Sequence, residues 1–229
     1  MNEYKNFHKG EDIYIIASGK SLDFIEPDFF DNKITIGINQ VFKKINCMYL
    51  VRKEAELLKD CVEKNKQSIF FISKGSCGNN NDKNQQIVNK EKYSNVILFN
   101  HNPNNIRSNT ISTLFNTLNL KENELIVSYS TITSGIHLAA HMGAKNIIIV
   151  GHDCGLLDGE VNFRGYHTDE TYKIVWKDGE KGYSRWITKS HIENDTIELK
   201  KILKDKYGCN IYSLNPFINF GLEGHKYER

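Results

Sequence analysis

A chain of 229 residues with 39% hydrophobic and 25% charged content is long enough to bury one well-cored domain and too short for two full ones. Its formal charge of +2, with 30 basic residues dispersed among 28 acidic ones, gives no electrostatic case for nucleic acid or a membrane surface as partner. Five cysteines, Cys47, Cys61, Cys77, Cys154 and Cys209, are an odd number without a C-x-x-C pair, which argues against a zinc site or a disulfide framework and for a reducing, cytoplasmic setting. The opening MNEYKNFHKGEDIY has no apolar h-region, and no run approaches the roughly 18 apolar residues of a membrane span. The sequon at 194–196 therefore carries no weight.

In chain order, residues 12–17 (DIYIIA) form a short buried strand that breaks into the turn Ser18-Gly19-Lys20-Ser21-Leu22. Residues 33–38 (KITIGI) predict a second strand ending in Asn39-Gln40, and 46–51 (NCMYLV) a third ending at Arg52. Helical spacing follows over 54–65, then a strand over 68–72 (SIFFI). Residues 74–86, rich in Asn, Gly and Lys, read as a mobile surface loop. Strands at 95–99 and 125–128 bracket a helical segment at 108–118. Residues 155–187 are irregular, Gly-rich and aromatic, too long for an ordinary connection, and predict a lid. A helix over 193–207 and a strand over 210–214 close the pattern, and no internal repeat is present.

The most informative stretch is 133–153, TSGIHLAAHMGAKNIIIVGHD. Ser134 and Gly135 stand where a helix would open, offering unpaired N–H groups and the positive end of a dipole to an anion. The small apolar helix ends at Gly143, a C-cap residue type. Residues 146–150 are a continuous β-branched run, the mark of a strand covered on both faces. Gly151, His152 and Asp153 follow at its carboxyl end. Strands alternating with helices predict a single Rossmann-like, doubly wound, mostly parallel α/β sheet over 1–229, with 155–187 inserted as the lid. In such a sheet the strand-end residues Ser18, Gly19, Asn39, Arg52 and Asp153 all land on one edge, where ligands bind.

Each motif has a bland alternative. Gly19-Lys20-Ser21 resembles the end of a Walker A loop, but that motif needs glycine where Tyr14 stands, and the G-x-G-x-x-G fingerprint is missing. What is left is a small-residue turn, able to approach a phosphate or ribose or to be an ordinary tight turn. His152, His167 and Asp169 lack a recurring ligand spacing, so no metal is expected. His191 precedes the expected last helix on a residue type suited to proton transfer near neutrality, although a lone histidine there also suits a plain surface.

Taken in order, ASGKSL after the first strand, Asn39-Gln40, the ITSGIHLAAHMGAKNIIIVGHD stretch, and His191 running to IYSLNP resemble the small bacterial sialyltransferases that use CMP-activated sialic acid. The wider superfamily resembled includes motility-associated flagellin glycosylation factors and archaeal 6-hydroxymethylpterin diphosphokinase-like proteins. The resemblance implies a variant GT-A fold and a metal-independent transfer of a nonulosonate from a CMP-linked donor to an acceptor hydroxyl. It implies that Ser18, Gly19 and Ser21 contact the nucleotide phosphate or ribose and that Asn39 holds the phosphate or base. Ser134 and Gly135 would hold the nucleotide, Asp153 would orient ribose or acceptor, and His191 would be the general base. Three departures stand out: Lys20 replaces a proline, Arg52 falls about where the family has an asparagine, and Gly155 occupies the place of a tyrosine that assists the departing phosphate. The family's second such tyrosine has no clear counterpart either, though Tyr166 and Tyr183 lie in the expected lid. The alternatives are a magnesium-dependent diphosphokinase acting from ATP on a hydroxymethylpterin-like substrate, and a non-catalytic nucleotide-binding domain. A homo-oligomer is left open.

Overall fold

In this computed structural model, the described residues are 1–53, 55, 58–75, 83–101, 111–116, 123–128, 130–154, 157, 160, 162–166 and 189–214. The expected parallel α/β sheet is present. Its eight strands are β1 (Asp12–Ile16), β2 (Ile34–Ile38), β3 (Tyr49–Arg52), β4 (Ile69–Ser73), β5 (Val96–His101), β6 (Glu124–Leu125), β7 (Asn146–Val150) and β8 (Asn210–Ser213). They lie in the order β6-β5-β4-β3-β2-β1-β7-β8, and every neighbouring pair is parallel. From β1 the chain steps outward one strand at a time to β6, then returns to the other side of β1 with β7. The order therefore reverses between β1 and β7, the position where open α/β sheets form their ligand crevice.

Because strand side chains alternate, the apolar runs feed two cores at once. Ile13, Ile15, Ile147 and Ile149 face one core together with α3 (Ile111–Asn116), α4 (Ile132–His141) and α5 (Lys189–Tyr207). Tyr14, Ile16, Ile148 and Val150 face the other, with α1 (Leu58–Lys64), α2 (Lys83–Glu91) and the short turns around Leu22, Phe30 and Phe42. Helix α4 is buried along its whole length. It can lie flat on the sheet because Gly135 has no side chain: a Cβ there would come within 2.6 Å of Ile38 Cδ1 on β2.

Several boundaries differ from the sequence reading, each for a local reason. Helix α4 starts at Ile132, behind the cap position Thr131. Helix α5 starts at Lys189 and not at 193, so the Glu-Asn-Asp cluster at 193–195 lies within the helix. Helix α2 occupies part of the expected loop at 74–86. It is anchored by Asn84, which is fully buried, donates to Lys53 O, Ser73 O and Gly75 O, and accepts from Ala55 N at 3.2 Å. The first ten residues also have a place: Asn6 N, His8 N and Gly10 N donate to the carbonyls of His141, Met142 and Gly143 at 3.0, 2.9 and 2.9 Å. These bonds satisfy carbonyls that the end of α4 would otherwise leave open.

The buried histidines make the fold acid-sensitive. His137 Nδ1 accepts from Ile126 N at 3.2 Å, and burial pushes its pKa down to about 3. Burial alone brings His152 down to about 4, and His8 and His141 move in the same direction, also mainly through burial. Above the ordinary histidine value of 6.5 these rings are neutral in both states and contribute no pH dependence. Below it the unfolded chain takes up protons that the folded chain refuses, so stability falls with pH through the window from 6.5 down to about 3 to 4. The slope reaches about 1.4 kcal/mol per pH unit for each fully engaged imidazole. Urea denaturation from pH 8 to 4.5 should show a plateau and then a decline beginning near pH 6.5; a flat profile down to pH 5 would rule this out.

Candidate functional site

At the switch point the tips of β1 and β7 are in direct contact. Gly19 N donates to Gly151 O at 2.7 Å, and a Cβ on Gly19 would lie 2.5 Å from that oxygen and 2.6 Å from Asp153 Cγ. Gly151 holds φ at 67° with its α-carbon facing the Ala17 carbonyl, where a Cβ would come within 2.6 Å. Only glycine fits both positions. The Asp153 carboxylate then reaches into the turn: Oδ2 accepts from Ser21 N at 2.7 Å, and Oδ1 accepts from Ser21 Oγ. Ser21 and Asp153 are thus both buried and bonded to each other, with the carboxylate, expected to orient ribose or acceptor, bracing the first turn.

Four of the expected residues meet over β1, β2 and β3. The Tyr166 hydroxyl hydrogen-bonds the side chains of Ser18 and Asn39 and lies within the field of Arg52. Burial raises the Tyr166 pKa, while those two hydrogen bonds and the Arg52 charge pull the other way. Asn39 follows β2 directly in the left-handed region, at φ 56°, a conformation asparagine tolerates better than most residues. Its carbonyl accepts from Arg52 Nη1 at 3.0 Å, and the Arg52 guanidinium lies over the Phe42 ring at 5.8 Å.

The segment carrying Tyr166 is docked on this edge by its own backbone. Gly19 and Asn162 form an antiparallel bridge, Phe163 N donates to Ser18 O at 3.0 Å, and Ser18 Oγ donates to Asn162 Oδ1 at 3.1 Å. Lys43 Nζ donates to the Tyr166 carbonyl at 2.8 Å, and Arg164 N donates to Asp23, whose carboxylate also pairs with Lys20 and Lys44. Residues 162–166 of the expected lid are therefore placed against the first turn. Tyr183, Gly155, His167 and Asp169 lie outside the described residues.

Ser134 and Gly135 have a different setting from the one expected. Because α4 opens at Ile132, their N–H groups both reach back to Thr131 O, at 3.1 and 3.4 Å, and Ser134 Oγ donates to Ile126 O at 2.7 Å. The mouth of the helix is formed by the residues just before them. Thr133 Oγ1 donates to Ser130 O at 2.8 Å, and the Ser128 N–H reaches Thr133 Oγ1 at 3.2 Å. Helix α4 ends at the amino edge of the sheet, where β7 begins, so this mouth overlies the carboxyl edge.

Helix α5 runs in the same sense into β8, which puts its first turns at the carboxyl edge as well. The bond His152 Nε2 to Thr196 Oγ1, 2.9 Å, fastens it to the tip of β7. His191 is within the first turn of α5, about 7.5 Å along the axis from Thr196 toward the N-terminus. Its side chain lies outside what is described. Farther along, the Glu198 carboxylate accepts from Ile111 N and Ser112 N at 3.1 and 3.0 Å and caps α3. Among the described residues no group of three or more His, Cys, Asp or Glu side chains could hold a metal ion.

One residue escaped the sequence reading. Lys53, 8% exposed, donates Nζ to Ser128 O at 2.7 Å, on the segment leading into α4. The signal was present as two consecutive cations ending a predicted strand.

No protein-family profile matches the chain, and no curated protein matches it. Solved structures do. The monofunctional α-2,3-sialyltransferase Cst-I of Campylobacter jejuni aligns with a TM-score of 0.55 at 18% identity, over 94% of this chain and 83% of that one. The sialyltransferase CstII of the same organism, in complex with cytidine-5'-monophosphate, aligns at 0.51 and 14% identity, over 91% and 81% of the two chains. CstII in complex with CMP-3FNeuAc gives 0.54 and 15%, over 94% and 89%. At these identities the likeness is one of fold: the parallel eight-stranded sheet with helices on both faces is similar, over nearly its whole length, to that of these bacterial sialyltransferases.

Proposed function

We propose that the chain is a glycosyltransferase that moves a sugar, with a CMP-linked nonulosonate as leading donor, onto an acceptor hydroxyl. The observation that carries this reading is the convergence of Ser18, Asn39, Arg52 and the Tyr166 hydroxyl beside the β1/β7 switch point. The fold supports it, since a sialyltransferase of similar architecture has been solved with cytidine-5'-monophosphate bound.

In this reading the nucleotide lies across the ends of β1 to β3, its phosphate between the Ser18-Gly19 turn, Asn39 and Arg52. Ser21 and Asp153 hold the turn in shape from below. The mouth of α4, at 130–132, faces the same edge, with Ser134 and Gly135 fixing the helix behind it. During transfer the acceptor oxygen bonds to the anomeric carbon while the bond from that carbon to the phosphate oxygen breaks. His191 takes the acceptor proton, and Tyr166 donates a hydrogen bond to the phosphate as its negative charge grows. Gly155 stands where the resembled family has a phosphate-assisting tyrosine, and the Tyr166 hydroxyl, reached from farther along the chain, does that work here. The segment 155–187 acts as the lid that keeps water from the activated donor. No metal takes part.

Three measurements test this reading. CMP should stabilise the protein against heat without added divalent metal, by about 2.7 kcal/mol at a hundredfold excess over its dissociation constant. Stabilisation by ATP with magnesium alone would move the assignment to a diphosphokinase. His191→Ala should lower turnover by roughly 10²- to 10⁴-fold with CMP affinity near wild type, and should remove the acidic limb of the pH profile. Full activity in that variant would return His191 to the role of an ordinary helix residue. Tyr166→Phe should lower turnover by roughly 10²- to 10³-fold, the worth of one donor aimed at developing charge, with a smaller change in CMP affinity. Equal losses in turnover and in affinity would mark Tyr166 as a binding residue alone.

A further inference from the structure

The Tyr166 hydroxyl meets Ser18 and Asn39, and each of these three residues is carried by a different segment. Ser18 leads into the turn Lys20–Phe24, Asn39 opens the turn Asn39–Lys43, and Tyr166 belongs to the stretch 162–166. Away from the hydroxyl, all three segments come together again at one carboxylate. Asp23 Oδ2 accepts from Lys20 Nζ of its own turn at 2.9 Å, and Oδ1 accepts from Lys44 Nζ, at the end of the second turn, at 2.6 Å. The backbone N–H of Arg164 is shared between Oδ1 and Oδ2, at 3.2 and 3.0 Å. A carboxylate has about four acceptor sites, and these four contacts fill them.

Burial works against the charged form of Asp23, and the bonds from Lys44, Lys20 and Arg164 N outweigh it, so its pKa lies below the ordinary carboxylate value and the charge persists at neutral pH. The side of this node that faces the tyrosine is reinforced. Lys44 Nζ lies 5.7 Å from the centre of the Phe163 ring, which packs edge-on against Tyr166 at 5.3 Å, and the neighbouring Lys43 donates to Tyr166 O at 2.8 Å. Ion pairs as open to solvent as these contribute little to global stability, so holding three segments in register is the larger effect.

We infer that Asp23 is a positioning residue for Tyr166: its carboxylate fixes the turns that carry Ser18 and Asn39 against the stretch that carries the tyrosine, and thereby sets the contact of the hydroxyl with both. An asparagine at this position would offer one oxygen to three donors and turn an N–H toward an ammonium, so the uncharged isostere cannot replace it. The effect on turnover rests on the transferase reading; the placement of the tyrosine ring does not.

Fluorine NMR of the full chain labelled with 3-fluorotyrosine tests this, with the Tyr166, Tyr14 and Tyr49 signals assigned by replacing each residue with phenylalanine in turn. All three rings are buried, and in wild type their signals should differ little between water and heavy water. Asp23→Ala and Asp23→Asn should each move the Tyr166 signal toward that of free 3-fluorotyrosine and give it a solvent-isotope shift, with Tyr14 and Tyr49 unchanged. Asp23→Glu, which keeps the charge and both oxygens, should restore the wild-type signal. An unmoved Tyr166 signal in Asp23→Ala would overturn the inference. So would parallel movement of the Tyr14 and Tyr49 signals, which would make Asp23 a residue of general stability. In a transfer assay Asp23→Ala should lower kcat roughly 10²-fold, the cost of a misplacement of about 1 Å, with KM changed less. Combined with Tyr166→Phe it should be no slower than Tyr166→Phe alone, because both substitutions remove one interaction. Additive losses would overturn the dependence on Tyr166. Absence of turnover in wild type, with the Tyr166 signal responding as stated, would sink the transferase reading and leave the positioning role in place.

Discussion

The contact on which the site depends is the one between the tips of β1 and β7. Parallel strands normally diverge into separate loops, yet here Gly19 N donates directly to Gly151 O, and neither residue has room for a side chain. That closeness lets the Asp153 carboxylate cross to Ser21, which in turn fixes the curvature of the first turn. With the turn fixed, Ser18 can face Asn162 and Tyr166, and the segment 162–166 gains a backbone partner in the bridge to Gly19. A substitution at either glycine would therefore act on this edge through geometry, by forcing the two strand tips apart.

The polar edge is supported by a frame that is unusually dry. Helix α4 is buried end to end, and its two histidines are neutral parts of the packing: His137 reaches Ile126 N and the Tyr207 hydroxyl, and His141 bonds the Met1 carbonyl. His152 plays the same part at the tip of β7, joining it to α5 through Thr196. Each ring is held where only its uncharged form is comfortable, so these histidines are poorly suited to shuttle protons at neutral pH. For the proposed transfer, this is the physical reason to look for a base outside that packing, in the first turn of α5.

Much of the fold was legible in the sequence because the strongest signals were the buried runs. NIIIV, DIYII and ITIGI read as strands covered on both faces, and in a parallel sheet the carboxyl ends of such strands share an edge. Ser18, Asn39 and Arg52 could be brought together on that argument alone. What escaped was written in polar residues whose role depends on partners distant in sequence. Asn84 anchors α2 from within a stretch that composition marks as a loop, and nothing in KNQQIVNKE announces that one asparagine is fully buried. The start of α4 was misplaced because Ser134-Gly135 has the composition of a helix mouth, while Gly135 is there to let the helix approach Ile38.

In the proposed reading, the placement of Tyr166 makes a missing motif residue weak grounds for denying the site its chemistry. A hydroxyl that must meet Ser18, Asn39 and Arg52 is constrained in space and not in sequence, and it can arrive from any segment whose backbone is tethered nearby. Here the tether is the antiparallel bridge at Asn162, the Phe163 bond to Ser18 and the Lys43 clamp on the Tyr166 carbonyl. Phe163 packs edge-on against the Tyr166 ring at 5.3 Å and limits its rotation. A tyrosine eleven residues beyond Gly155 is thus held at this edge by its own segment's contacts. Residues 162–166 are thereby set against the first turn, so the Tyr166 hydroxyl and the Ser18 side chain are positioned by the same backbone contacts.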